Sequence, residues 1–315
     1  MIERLKIAAL LHEPPEATWL IVEGKYHEDV AVEVLKRLAD LPCVPSEVRK
    51  ADMLASSIDR YILYIFGYRC DFLPETSIRL KNIVNPFFVS SLPPIVENKV
   101  GNFRQKLYSL ENVEDLRLRY LLLYGLYEWL WIDAGLPVGP ADTRVPTHTV
   151  FDHNYATATA LNWIPEGGLL VGIDVAGVQD FIKASRKLRD MWASSYLVSA
   201  LVWYTILPLV EKIGPDVVIT PSLRYNPIFH HWLKDRWHKE VKKMEEQLER
   251  TKDPERIEKI EKIKKAIEGL LKRVEKYVYL SDELREMYER LNLPPYAAFP
   301  ERATLALPPR GRVDK

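Results

Sequence analysis

Six side chains in the first half of the chain have the chemistry of a metal centre: His12 and Glu13 together, Asp52, and then His148, Asp152 and His153. Imidazole nitrogens and carboxylate oxygens are the donors that hold divalent cations. Two cations bridged by such groups lower the pKa of a bound water and clamp a phosphate for in-line attack. Taken singly, each histidine reads as a structural or surface residue; only the set points to phosphodiester hydrolysis. A second candidate sits at Asp174. The apolar run Leu169–Ile173 ends on this carboxylate, a turn containing Gly177 follows, and a helical segment then carries Phe181 and Ile182 ahead of Arg186, Lys187 and Arg189. A carboxylate at the exposed end of a strand is where nucleotidyl-transfer sites hold a metal or face a nucleotide. The same residue equally serves to end a strand and cap the next helix. Arg186 and Lys187 offer phosphate partners, or simply complement the dipole of their own helix.

The elements that must position these groups divide the chain in two. Up to about residue 160, apolar periodicity predicts helices over Ile2–Leu11, Glu28–Leu38, Ser46–Phe66 and Arg117–Trp131. Leu73–Pro94, with Pro74, Pro86, Pro93 and Pro94, reads as an irregular connection, and Leu136–Pro146 as a rigid loop before His148. The boundary is expected near Trp163–Gly168. Beyond it, strands are predicted over Gly168–Asp174, Val217–Thr220 and Ala303–Leu307, with helices over Gln179–Lys187 and Met191–Lys212. Leu233–Tyr277, broken at Asp253-Pro254, reads as a two-helix hairpin with a thin apolar stripe, either a solvated excursion or a partner-binding arm. A sheet of about three strands with Gly168–Asp174 central leaves an edge and an apolar face in need of cover.

Composition narrows the classes. Lys+Arg and Asp+Glu both number 44, so whole-molecule charge gives no support for a dedicated nucleic-acid binder, although local basic patches are compatible with it. Cys43 and Cys70 match neither a metal-ligand spacing nor a disulfide framework, which fits a cytoplasmic protein. Glutamine is rare beside Glu, Lys and Arg, a bias typical of thermophile proteins. The first residues carry Glu3, Arg4 and Lys6 and do not read as a signal peptide. Met191–Val210 has no charge but contains several hydroxyls and Pro208, and is expected to be a buried core helix rather than a membrane span. No phosphate-cradling loop of the Walker type occurs.

Wording adds to spacing. Asp174, Gly177, Gln179, Phe181, Ser185 to Asp190, Trp192, Ala193 and Ser195 to Leu197 fall in a run that resembles the first palm-like domain of the large subunit of type III-B CRISPR effector complexes. Members typically read Asp-Ile-Pro-Gly-Ile-Gln-Glu-Phe-Ile, then Ser-Arg-Lys-Leu-Arg-Asp-Leu-Trp-Ala-Gly-Ser-Tyr-Leu. His12-Glu13-Pro14-Pro15-Glu16 is similar to the His-Asp-Pro-Pro-Asp that opens the family's HD domain. Ala51–Ser56 is similar to its Ala-Asp helix, and Ala141–His148 with Phe151-Asp152-His153 to its closing motif. Pro221–Pro227 and, loosely, Ala298–Ala303 are similar to later signatures. Together these matches run from residue 12 to about 307, yet cover only the N-terminal half of a typical member.

The resemblance implies an α+β chain. Residues 1–163 would form a mostly helical HD-like domain, and 164–315 part of a ferredoxin-like palm of the cyclase/polymerase type with a charged helical insertion over about 233–277. It implies a metal set of His12, Glu13, Asp52, His148, Asp152 and His153 holding Mn, Ni or Mg. It further implies a nucleotide-binding set of Asp174, Gln179, Ser185, Arg186, Lys187 and Ser195, with ATP at a palm–palm interface. The early aspartates are glutamates here, and Glu13, one methylene longer, misplaces a bridging ligand, so a weak or lost nuclease is expected. The family's Gly-Gly-Asp-Asp turn is missing, and the one Gly-Gly pair is Gly167-Gly168, so this chain alone should not cyclise nucleotides. Implied partners are a second palm-containing polypeptide or a C-terminal half, other type III-B subunits, and CRISPR RNA and target RNA reached through the complex, with no membrane. A free-standing metal phosphohydrolase and a purely architectural docking protein are the competing classes.

Overall fold

A computed structural model of the protein describes residues 2–57, 78–81, 89–142, 148–251, 254–278 and 300–309, with the single positions 61 and 286. Cys70, Thr143–Thr147, Asp253, Ala298 and Phe299 lie outside the described residues, as does most of the expected helix beyond Ser57. The chain is α+β and mostly helical, and clusters into two compact units. One comprises Met1–Leu123 and Tyr127–Pro165, the other Tyr124–Leu126 and Glu166–Lys315.

The first unit is built on helices α1 (Ile2–Leu11), α2 (Ala17–Val22), α3 (His27–Leu38), α4 (Ser46–Ala55), α5 (Glu97–Tyr108), α6 (Leu116–Asp133) and α7 (Val150–Ala160). Helix α3 buries one stripe, Ala31, Val34, Leu35 and Leu38, and leaves its polar face in water. Asp115 caps α6, accepting from the backbone N–H groups of Arg117 at 2.8 Å and Leu118 at 3.3 Å. Tyr127 and Trp131 of α6 meet Phe151 of α7 and Phe103 of α5, with Trp131 and Phe103 edge to face at 5.1 Å. Leu73–Pro94 is not wholly irregular: β1 (Ile78–Lys81) and β2 (Val89–Leu92) pair antiparallel, Ile78 opposite Leu92. Ile-Arg-Leu-Lys has the period-two alternation of a strand, and Pro86, Pro93 and Pro94 all fall outside the two strands.

The second unit holds a three-stranded antiparallel sheet of β3 (Leu169–Asp174), β4 (Val218–Thr220) and β5 (Arg302–Leu307) in the order β3-β5-β4. The expectation of a central Gly168–Asp174 strand is therefore corrected: β5 is central and β3 is an edge. Leu169 and Leu170 of β3 are exposed, whereas Ala303, Leu305 and Ala306 of β5 are buried. An apolar run marks a strand but cannot say which neighbour flanks it. Helix α8 (Val178–Lys183) starts after Gly177, whose φ of 76° is the left-handed conformation that favours glycine. Helix α9 (Leu188–Lys212) is the one described helix long and apolar enough to cross a membrane by length and composition. It is not a fully buried core helix either. Val198, Val202, Trp203, Ile206 and Val210 pack inward, while Leu197, Leu201 and Tyr204 on another face are exposed. Helices α10 (Pro227–Thr251) and α11 (Pro254–Val278) form the hairpin, pinned by Lys234 to Glu275 and by Lys264 to Glu245 at 2.7 Å.

Candidate metal centre

Three of the six expected ligands converge. His12 follows the last residue of α1, Asp52 lies on α4 and His153 on the first turns of α7. One donor atom from each lies within 4.8 Å of the other two. His12 Nε2 and His153 Nε2 are 3.3 Å apart, and His153 Nε2 is 3.1 Å from Asp52 Oδ1. Both rings are buried, and they meet tilted with centroids 5.2 Å apart.

The two histidines are aimed by local structure. His12 Nδ1–H donates to the Ala9 carbonyl at 2.9 Å, one turn back, which leaves its Nε2 lone pair facing the cluster. Burial lowers the His12 pKa, nearby Glu13 and Asp52 oppose this, and His153 adds to it, so the neutral, ligand-ready imidazole is favoured. His153 is placed by the start of α7. Thr149 and Asp152 form a capping box there: the Thr149 hydroxyl accepts from the Asp152 N–H at 3.0 Å, and the Asp152 carboxylate accepts from the Thr149 N–H and hydroxyl at 3.0 and 2.8 Å. The described residues before α7 pair with its start: Ala141 N–H donates to the His148 carbonyl at 3.0 Å and Val150 N–H to the Gly139 carbonyl at 3.1 Å. Gly139 leaves no room for a side chain, since a Cβ there would lie 2.9 Å from the Thr18 hydroxyl and 3.0 Å from the Trp19 ring.

The other three residues have different placements. Asp152 is engaged in the capping box. His148 lies with its ring centroid 6.1 Å from that of His153, beside the cluster rather than in it. Glu13 turns to His27 at the start of α3, Oε1 to Nε2 3.3 Å, and this contact is what raises the His27 pKa against the opposing effect of burial. His27 carries no spacing signal and escapes a linear reading. Asn154, also unforeseen, is fully buried and donates its side-chain N–H to the Glu13 carbonyl at 2.8 Å, tying α7 to the segment after α1.

Two imidazoles and a carboxylate suit a borderline divalent cation. Donor separations of 3.1 and 3.3 Å match adjacent ligands on a cation with bonds of about 2.1 Å at roughly 90–110°. The three donors fit one cation, with positions left for water or substrate.

The second set is more open. Asp174 ends β3 opposite Arg302 and receives its Nε–H at 3.0 Å, both side chains being exposed. Gln179 is exposed on α8, and Arg186 and Lys187 are exposed between α8 and α9. The Ser185 hydroxyl meets that of Ser194 at 3.1 Å and joins the end of α8 to α9, next to Ser195. No described contact links Asp174 to the serine and cation group.

Comparison with known proteins supplies the context. Residues 170–315 match the family model described as CRISPR-associated protein Cmr2, N-terminal. The chain is similar to the CRISPR system CMR subunit Cmr2 of Saccharolobus solfataricus, with 39% identity over 96% of this chain and 29% of that protein. It is also similar to the Cmr2 of Pyrococcus furiosus, with 37% identity over 71% of this chain and 32% of that protein. A chain of the apo type III-B Cmr-beta cryo-EM structure superposes with a TM-score of 0.75 and 36% identity over 98% of this chain and 30% of its own length. One of Cmr-beta bound to cognate target RNA gives 0.71 and 39% over 96% and 28%. The chain thus spans about three-tenths of the length of these relatives.

Proposed function

Because the chain belongs with the Cmr2 large subunits of type III-B CRISPR systems, as their N-terminal part, we propose that it contributes a one-cation phosphodiester-binding centre and a docking surface to an RNA-guided effector complex. The observation that carries the first half is the convergence of His12, Asp52 and His153 within 4.8 Å. His12 and His153 would hold the cation through Nε2 and Asp52 through its carboxylate. A bound divalent cation would supply Lewis acidity and a water acidified toward neutral pH. The chain's own part is to keep His12 neutral through burial and the Ala9 hydrogen bond, and to fix His153 through the capped start of α7. With Glu13 held by His27 and Asp152 in its cap, neither of these two expected carboxylates is turned to a second bridged cation, so binding should exceed cleavage.

The docking half rests on the exposed β3 edge and the exposed Leu188, Met191 and Trp192 at the start of α9. Exposed apolar side chains and an edge strand are each surfaces on which another polypeptide can dock. The occupant we propose is the remainder of the large subunit, bearing the second palm, and ATP would meet Asp174, Ser185, Arg186 and Lys187 at that junction. Other Cmr subunits and target RNA, present in the complexes that the similar structures describe, are the wider partners we propose.

Calorimetric titration of the chain with Mn²⁺ and with Ni²⁺ tests the centre. One equivalent should bind, and His153→Ala and Asp52→Ala should each lose it. Unchanged binding in both variants would remove the site from these residues.

A further inference from the structure

Whole-chain charge is balanced, but α11 sorts its charges by face. At 100° per residue, the buried side chains Ile260, Ile263, Ile267, Leu270, Leu271 and Val274 lie within an arc of about 100°. Glu261, Glu268 and Glu275 recur every seventh residue along one flank, and Glu275 pairs there with Lys234 of α10. Directly opposite the buried arc, Lys262, Lys265, Lys272, Arg273 and Lys276 fill another arc of about 100°, every one of them exposed; Glu255 and Glu258 share that arc before Lys262, and no acid falls on it between Lys262 and Lys276. This row runs about 21 Å along the helix at 1.5 Å per residue.

Gly269 sits in the middle of that row, exposed, between Lys265 and Lys272. A Cβ there would meet nothing within 4 Å, so no internal packing requires glycine. An exposed glycine in a helix interior destabilises the helix relative to alanine. What it provides is close approach of an outside molecule to the helix backbone, flanked by ammonium groups.

From the charge sorting and the bare centre of the row, we propose that the outward face of α11 binds the sugar-phosphate backbone of a nucleic acid strand without reading its sequence. The face offers no apolar or aromatic side chain between Lys262 and Lys276. A protein partner would want such side chains at its contact core, where lysine is depleted. A polyphosphate strand wants what is present: four ammonium groups and a guanidinium in two clusters on one face, with exposed backbone at Gly269 between them. A length of about 21 Å corresponds to about six stacked nucleotides at 3.4 Å each. The site is separate from the cation centre and does not depend on it.

Fluorescence anisotropy of the full chain with a fluorescein-labelled single-stranded RNA of mixed sequence, between about 50 and 200 mM salt, reads this directly. The chain should bind with an affinity that falls with salt. Lys265→Ala/Lys272→Ala should flatten the log–log salt slope by about 1.4, at about 0.7 per phosphate contact on a single strand, and weaken low-salt binding about tenfold. A charge-matched control, Lys36→Ala/Lys212→Ala, should leave both unchanged. These lysines are exposed, so circular dichroism should be alike for all three proteins. No RNA binding at low salt, equal behaviour of the two double variants, or displacement of the RNA by poly-glutamate at equal charge would each overturn the proposal.

Discussion

His230 offers a direct test of how burial sets charge in the second unit. It lies on α10, 9% exposed, with Nε2–H donating to the Arg224 carbonyl at 2.9 Å and its ring edge-on to Phe229. Burial pushes its pKa from 6.5 down to about 4, with the Arg224 bond and Glu275 opposing only in part. In the unfolded chain the imidazole takes up a proton as pH falls through about 6.5; in the folded chain it does so only near 4. The neutral histidine therefore costs nothing above pH 6.5, and stability is lost as pH falls from there to about 4, then levels off. At about 1.4 kcal/mol per unit, the loss from this residue is about 3 kcal/mol. His230→Gln keeps an N–H donor and removes the titration. Urea unfolding followed through Trp203 and Trp232, which neighbour Phe229, should show the wild type losing about 3 kcal/mol more than the variant between pH 7 and pH 4. A wild-type-to-variant difference that stays constant across this range would refute the burial argument, as would a His230 proton resonance titrating near its ordinary value.

At the candidate centre, Glu13→Gln should lower the His27 pKa, because the Glu13 contact is the main cause that raises it and burial is then opposed by Glu28 alone; histidine resonances followed against pH read the shift. Asp152→Ala removes half of the capping box on α7 and should cost about 1 kcal/mol in chemical denaturation, with weaker Mn²⁺ binding as His153 loosens. Trp192, 43% exposed and stacked on Tyr196, should be dispensable for folding. Trp192→Ala should leave the melting temperature unchanged while weakening association with a Gly-Gly-Asp-Asp palm polypeptide by about 2 kcal/mol in a binding titration. Incubated alone with ATP and Mg²⁺ or Mn²⁺, the chain should make no cyclic oligoadenylate detectable by mass spectrometry, because its sequence lacks the second carboxylate pair.

Four helices of the first unit, α1, α3, α6 and the start of α4, were legible because apolar spacing is a local property, whereas α2, α5 and α7 were not read from the sequence. Ile7 to Leu11 and the Ala31–Leu38 stripe announce their buried faces before any partner is known. The hairpin was equally plain from its charge periodicity and from Asp253-Pro254, and the family from the run after Asp174. Convergence of His12, Asp52 and His153 is of another kind. It depends on how α1, α4 and α7 pack, and identical residue types nearby went elsewhere. Asp152 is drawn into a cap by Thr149, three residues before it, and Glu13 is taken by His27 after a turn that no periodicity describes. The edge position of β3 was likewise decided by pairing, since β5 arrives from more than a hundred residues later to lie between β3 and β4. Residue type and spacing determine which chemistry a chain can offer and which faces of its helices are buried. Which donors meet, and which strand is left uncovered, is decided by long-range packing, because donor distances of about 3 Å are fixed only when separate helices are held against one another.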